Sequence, residues 1–434
     1  MLLPPQLLRA ARRRVGSSCG RHLFPALCNH QHQQQHNRLY GIYRSSRCVH
    51  TEVCAGKEEE KGALSDLESE LVVVGCGQMG TGIALTAARH LAGTRVTLLD
   101  ISKTQLQRGR KFSELWVQKE VGKGKLEPAA AESLLQRLSF IFLDPEVLIS
   151  LDASAAPEAV RRSTFCLESA SENLAIKRNI FALLDSAAPP TAVLATNTSS
   201  ISITKIAAAT RSPHRVIGMH FMNPVPVMPL VEIISGLDTD ENTKLRTEQL
   251  AFQMKKTTAH ALDRPGFVAN RLLMPYLNEA VFALQVNEDV CLAILRVLHS
   301  ELGDSKYRPA EQLAFQMKKT TAHALDRPGF VANRLLMPYL NEAVFALQEG
   351  ISSAEDIDRI MRLGANMPMG PLELADFIGL DVCLAILRVL HSELGDSKYR
   401  PAPLLTQYVD AGYLGRKSGR GFYEYANRQT GLLK

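Results

Sequence analysis

The chain has 434 residues, 46% of them apolar and 22% charged, which is enough to bury one or two ordinary cores and excludes wholesale disorder. No run of about 18 apolar residues occurs, so membrane insertion is not expected. The formal charge of +6 has its source in Met1–His50, which holds eight arginines and no acid; the rest of the chain is slightly acidic and gives no ground for a nucleic-acid partner.

That basic stretch comes first in chain order. Arg-rich, acid-free and carrying serines and leucines, it fits a mitochondrial transit peptide and points to the mitochondrial matrix, with residues 1–60 expected as leader and linker. The tract NHQHQQQHN at Asn29–Asn37 reads as a solvated polar run rather than a metal site. The eight cysteines include no CxxC pair, so neither a bound metal nor a disulfide framework is indicated.

From Glu70 the pattern is that of a dinucleotide-binding unit. An apolar strand at Leu71–Val74 runs into a glycine turn, Gly75-Cys76-Gly77-Gln78-Met79-Gly80, then a helix and a second strand ending in Asp100. Gly75 permits the tight turn, Gly77 lets the backbone approach a pyrophosphate, and Gly80 lets the helix pack closely on the strand. The helix N-terminus offers free N–H groups to the phosphates. Asp100 stands 20 residues beyond Gly80, where a carboxylate can accept the ribose hydroxyls and repel a 2′-phosphate, so the expected cofactor is NAD. Further strands are predicted at Phe165–Glu168, Ala192–Thr196, Val216–Phe221, Leu230–Ile234 and Thr257–Leu262, with a helix over Glu172–Ser186. This alternation predicts an α/β fold, a Rossmann-type doubly wound and largely parallel sheet, with ESASEN, TNTSS and HFMNP at the ligand-binding strand ends.

Six segments together, GCGQMGTGIA, ATNTSSISITKIA, VIGMHFMNPVPVMPLVEII, DRPGFVANRLLMPYLNEA, MGPLELADFIGLD and GRKSGRGFYEY, resemble the 3-hydroxyacyl-CoA dehydrogenase family, particularly its short-chain and 3-hydroxybutyryl-CoA members. The resemblance spans Leu71 to Tyr425. It implies an NAD-binding Rossmann-type domain over residues 68–263, and a mostly α-helical substrate and dimerisation domain over 264–430. The implied activity is NAD-linked oxidation of L-3-hydroxyacyl-CoA to 3-ketoacyl-CoA, in fatty-acid β-oxidation or butanoate metabolism, by a homodimer. By the same resemblance His220 is the base and Glu232 its orienting carboxylate, while Ser199 and Asn270 bind the substrate oxygen. Glu172, Lys177, Ser199, Asn223 and Lys417 match cofactor contacts, alongside Gly75, Gly77, Gln78, Met79, Gly80 and Asp100. Lys123, in QKEVGKGKL, is the nearest match to a contact with CoA.

The chain departs from the family by repetition. Glu248–Gln285 recurs letter for letter as Glu311–Gln348, and Asp289–Ala310 recurs as Asp381–Ala402. Removing Val286–Gln348 joins VFALQ directly to EGISSAEDID and restores an uninterrupted pattern, so residues 286–348 read as a duplicated insertion. The second apolar helix it brings cannot occupy the groove of the first; it must sit displaced, expose its apolar face, or pair with another chain. Asn270 is expected to serve the site, with its copy Asn333 as the substitute. The alternative function is a catalytically impaired NAD-binding protein whose helical domain the insertion disrupts.

Overall fold

The structure, a computed structural model, describes residues 70–283 and 327–425. The leader, the His/Gln tract and residues 284–326 of the repeated region lie outside the described residues. Eight strands form one sheet in the order β3-β2-β1-β4-β5-β6-β7-β8: β1 (Glu70–Val74), β2 (Arg95–Asp100), β3 (Leu138–Phe142), β4 (Ser163–Glu168), β5 (Val193–Thr196), β6 (Val216–Phe221), β7 (Leu230–Ser235) and β8 (Thr257–Leu262). Strands β1 to β6 are parallel; β7 pairs antiparallel with β6, and β8 runs parallel to β7. The inner strands β1, β2, β4, β5, β6 and β7 are short apolar runs buried on both faces, as a sheet covered by helices on two sides requires, while the edge strand β8 is only partly buried. The predicted strands are all present. β3 was not anticipated: it is an edge strand of five residues, LSFIF, only partly buried.

Helices α1 (Gln78–His90), α2 (Lys103–Gly122) and α3 (Pro128–Gln136) lie beside β1–β3, and α4 (Leu174–Ala187) follows β4. The helix expected from Glu172 starts at Leu174, because the Asn173 side chain accepts from the N–H groups of Ala175 and Ile176 and caps it there. Helix α5 (Glu241–Gln253) links β7 to β8.

Beyond β8 the chain is helical. Helix α6 covers 269–283, followed by α7 (Ala332–Gln348), α8 (Ala354–Gly364), α9 (Pro371–Ile378), α10 (Leu380–Leu394) and α11 (Pro403–Asp410). Helix α7, which belongs to the second copy of the repeat, packs against α9, α10 and α11 and buries Met337, Leu340 and Val344. Of the segment 286–348, read from sequence as a duplicated insertion, Ala332–Gln348 supplies a central helix of the helical region. The two copies lie against each other, and of the expected outcomes the exposed apolar face is the one found, on the first copy: α6 keeps Met274, Leu277, Val281 and Phe282 exposed. Among the described residues, no helix is long and apolar enough to cross a membrane.

Candidate active site

The glycine turn follows β1 as its sequence requires. Gly75 has φ +103°, and a Cβ there would stand 2.5 Å from the Ser169 carbonyl oxygen; a Cβ on Gly80 would stand 1.9 Å from the Gly75 oxygen. Gly77 caps α1 without a side chain, and a Cβ on it would meet nothing within 4 Å. The turn is thus closed on the protein side at Gly75 and Gly80 and open at Gly77, where a pyrophosphate can approach the free N–H groups of the helix end. Asp100, at the end of β2, orders this entrance: one carboxylate oxygen accepts from Cys76 N at 2.8 Å and the other from Ser102 N at 2.7 Å. Gly75, Gly77 and Asp100 line one cavity together with the apolar Leu148 and Ile176, a fit for the adenosine half of a dinucleotide.

A larger cleft of ≈660 Å³ adjoins it at the carboxyl ends of β4, β5 and β6. Sheet register places the pair at its base. In the antiparallel β6–β7 pair His220 is opposite Glu232, so both side chains leave the same face. His220 Nδ1 and Glu232 Oε2 are 2.7 Å apart, with Glu232 fully buried and His220 nearly so. The other oxygen of Glu232 accepts from Val268 N at 3.3 Å and Ala269 N at 3.1 Å. A carboxylate held by two backbone donors fixes the ring: Nδ1 carries the proton and donates, leaving Nε2 as acceptor. Such an imidazole can take a proton from a hydroxyl, and the adjacent carboxylate can stabilise the cation that results.

The surrounding polar groups form one network. Asn270 Nδ2 donates to Ser199 O at 3.0 Å, and both residues line the cleft. Glu172 gathers Thr198 Oγ1 (2.6 Å), Ser199 N (3.0 Å) and Ser200 N (3.2 Å) onto a single oxygen. Burial pushes its carboxyl up, but the Thr198 hydrogen bond and the Lys177 charge outweigh that and hold it below the usual range. Lys177 is itself buried, bonded to Glu168 at 2.7 Å and 3.4 Å from Glu172. Gln78 Nε2 donates to Asn223 Oδ1 at 3.1 Å, joining the glycine turn to the loop after β6.

The structure therefore brings together His220, Glu232, Ser199, Asn270, Glu172, Lys177, Asn223, Gly77, Gln78 and Met79 around the cleft. It does not bring Lys417 there: this residue lies in the helical region, paired with Asp381 and under Gly379. Lys123 ends α2, half exposed and 3.9 Å from Glu120. Asn333 opens α7 and lies away from the cleft. Three positioning groups were not singled out from sequence. Glu168 joins Lys177 to Thr196, Asn197 accepts from Phe221 N at 2.8 Å, and Asp263 caps the short helix Ile203–Ala207 through Ser202, Ile203 and Thr204. Each carried a partial signal: Glu168 and Asn197 fall in ESASEN and TNTSS at the predicted ligand-binding strand ends, and Asp263 is the acid opening DRPGF directly after a strand. Its bonds also explain why the first copy serves the site: Asp263, Val268, Ala269 and Asn270 are all anchored to the sheet domain.

A glycine turn closed for a pyrophosphate, an acid at the second strand end and an oriented histidine in the adjoining cleft define a dinucleotide-dependent dehydrogenase. Comparison with known proteins makes the class specific. The NAD binding domain of 3-hydroxyacyl-CoA dehydrogenase matches residues 70–264, and the C-terminal domain of the same family matches residues 329–425. A probable 3-hydroxybutyryl-CoA dehydrogenase of Bacillus subtilis is 41% identical over 361 residues, 83% of this chain and 99% of the relative. The 3-hydroxybutyryl-CoA dehydrogenase of Bradyrhizobium diazoefficiens is 38% identical, covering 81% of this chain and 94% of its own. Among solved structures, (S)-3-hydroxybutyryl-CoA dehydrogenase from Ralstonia eutropha is 35% identical with a TM-score of 0.41, over 82% of this chain and 98% of that one. The chain belongs to the 3-hydroxyacyl-CoA dehydrogenase family, and its cofactor is NAD.

Proposed function

We propose that the chain oxidises short-chain L-3-hydroxyacyl-CoA, 3-hydroxybutyryl-CoA foremost, to the 3-ketoacyl-CoA. The observation that carries this is the His220–Glu232 pair, 2.7 Å apart, in a cleft lined also by the glycine turn. The names of the relatives support the short acyl chain. NAD, when bound, accepts the hydride from C3. His220 Nε2 takes the hydroxyl proton, so that the carbon left behind becomes a carbonyl rather than a cation. Glu232 holds the ring in the accepting tautomer and balances the imidazolium. Ser199 and Asn270 face the same cleft and hold the substrate oxygen. Gly75, Gly77, Gly80 and Asp100 receive the adenosine and pyrophosphate; Glu172, Lys177 and Asn223 stand at the nicotinamide end. Lys123 is the residue offered to CoA.

Import into the mitochondrial matrix through the acid-free leader, and association of helical domains into a homodimer, belong to the same reading. The packing of the helical region around α7 and the assembled cleft support this reading over the alternative, an impaired NAD binder. The test is NADH formation from L-3-hydroxybutyryl-CoA by the purified chain. Turnover supports the reading; NADH binding without turnover overturns it. Fusion of Met1–His50 to a fluorescent protein tests the matrix assignment, and a cytosolic signal overturns it.

A further inference from the structure

The segment NPVPVMP, Asn223–Pro229, joins β6, which carries His220, to β7, which carries Glu232. Its prolines, Pro224, Pro226 and Pro229, offer no N–H, so few of its carbonyls can be met from within the segment. Val227 N and Met228 N both donate to Pro224 O, at 3.0 Å and 2.9 Å. The carbonyls of Val225 and Met228 are met by one side chain instead: Lys256 Nζ donates to Val225 O and, at 2.7 Å, to Met228 O. That residue is 8% exposed, and no carboxylate among the described residues forms an ion pair with it. Burying an ammonium in this way costs stability, and burial holds it down at about 8. An apolar side chain would fill the place at less cost, but would leave two carbonyls without a donor.

The backbone fixes where this lysine stands. Helix α5 ends in a left-handed residue, Lys255 with φ +58°, and Lys256 N donates back to Ala251 O at 2.9 Å, the six-to-one bond of a helix stop. The next residue, Thr257, opens β8 and donates to Pro229 O at 2.7 Å. The start of the segment faces the cofactor side. Asn223 accepts from Gln78 of the glycine turn at 3.1 Å and lines the cleft together with Met222. Val225 is buried against α1, where a Cβ on Gly82 would stand 3.1 Å from its own Cβ. Lys256 does not line the cleft; it holds the segment from outside.

We propose that Lys256 is a positioning residue for NAD: by tying down the carbonyls of Val225 and Met228 it fixes the proline-rich segment so that Asn223 stands ready at the nicotinamide end. It touches neither cofactor nor substrate. The glycine turn and Asp100, which receive the adenosine and pyrophosphate, do not depend on it, so its effect falls on the nicotinamide half. This rests on the placing of Asn223 at that end, and not on the identity of the acyl substrate.

The experiment compares the full chain with Lys256→Met, which keeps most of the side chain and removes the donor. Calorimetric titration is made with NADH and with ADP, which carries the adenosine and pyrophosphate alone. Loss of a charge-assisted hydrogen bond is expected to weaken NADH about tenfold, with ADP within about twofold of the parent. In the cofactor-free variant, amide hydrogen exchange should quicken at Val227 and Met228 and stay unchanged in β6. Because Lys256 acts through Asn223, adding Lys256→Met to Asn223→Ala should cost less than about threefold more. Unchanged NADH affinity, an equal loss for NADH and ADP, or fully additive losses in the double variant each overturn the proposal. If Lys256→Met does not fold, Lys256→Gln, too short to reach both carbonyls, is read by the same titrations and the same outcomes. Failure to oxidise L-3-hydroxybutyryl-CoA would overturn the proposed reaction and leave these binding outcomes to decide the role of Lys256.

Discussion

Replacing Glu232 by Gln tests the site where its geometry is most constrained. The native carboxylate accepts on both oxygens: from His220 Nδ1 at 2.7 Å on one, and from Val268 N and Ala269 N at 3.1–3.3 Å on the other. An amide has one accepting oxygen. If it stays with the two backbone donors, its NH₂ faces Nδ1, which must become the acceptor; the ring proton moves to Nε2, and the base is lost. If the amide turns over, its NH₂ opposes two buried N–H groups. Either way a charge-assisted hydrogen bond at a fully buried carboxylate disappears, about 1.5–3 kcal/mol, or roughly 10- to 150-fold. The tautomer change adds to this; an equivalent Asp→Asn exchange in a serine-protease triad costs about 10⁴ in turnover. The expected loss in kcat is therefore about 10²- to 10⁴-fold, with NADH affinity within about threefold of the parent. Initial rates with L-3-hydroxybutyryl-CoA, alongside NADH titration by fluorescence, read both quantities. A kcat within about threefold of the parent would refute the orienting role, and an equal loss of NADH binding would show that the variant is misfolded.

Four further outcomes follow from the same geometry. His220→Gln should abolish turnover while NADH still binds; measurable kcat near the parent's removes it as the base. Asp100→Ala should weaken NAD and narrow its advantage over NADP, read from the two dissociation constants, and equal losses for both contradict the ribose contact. Gly77→Ala should keep the parent's thermal midpoint but weaken NADH about tenfold or more, because its Cβ meets no protein atom, whereas Gly80→Ala should lower the midpoint itself because its Cβ meets the Gly75 oxygen at 1.9 Å; the reverse pattern refutes the assignment of the two glycines. Burial holds the Lys256 ammonium at about 8, where it donates to the Val225 and Met228 carbonyls. Its folded value lies below the unfolded one near 10.5, so between them the unfolded chain binds more protons and stability gains from rising pH. Denaturant midpoints of the parent should therefore rise relative to Lys256→Met as pH goes from about 8 to 10; parallel curves refute this.

What was legible in the sequence was whatever a local rule dictates. The turn from Gly75 to Gly80 and the acid at Asp100 follow from backbone approach and strand length alone, and the apolar runs located seven of the eight strands. His220 and Glu232 lie 12 positions apart, and nothing in that spacing brings them together; the β6–β7 register does, so only the resemblance to a family pointed to the pair. Glu168, Asn197 and Asp263 were missed for the same reason. Glu168 reaches Thr196 28 positions away, Asn197 reaches Phe221 24 away and Asp263 reaches Ser202 61 away, and no periodicity records such bonds.

The repeat separates local from tertiary determination within one chain. In both copies the turn is the same: Gly266 and Gly329 have φ +75°, and the following Phe267 and Phe330 have φ +50° and +49°. In both copies a helix follows. Yet Phe267 is fully buried against His220 while Phe330 is 59% exposed, and Met337 is 1% exposed where Met274 is 48% exposed. Identical residues thus fold identically at short range and take opposite environments. Turn chemistry and helical periodicity determine the element; the anchors at Asp263, Val268 and Asn270 on one side, and at Asn341 on the other, determine which copy meets the substrate cleft and which one builds the helical core. A repeat of this kind disables an enzyme when both copies compete for one place. Here the two copies take different places, the first at the cleft and the second in the helical core, so the cleft is assembled with the repeat in place.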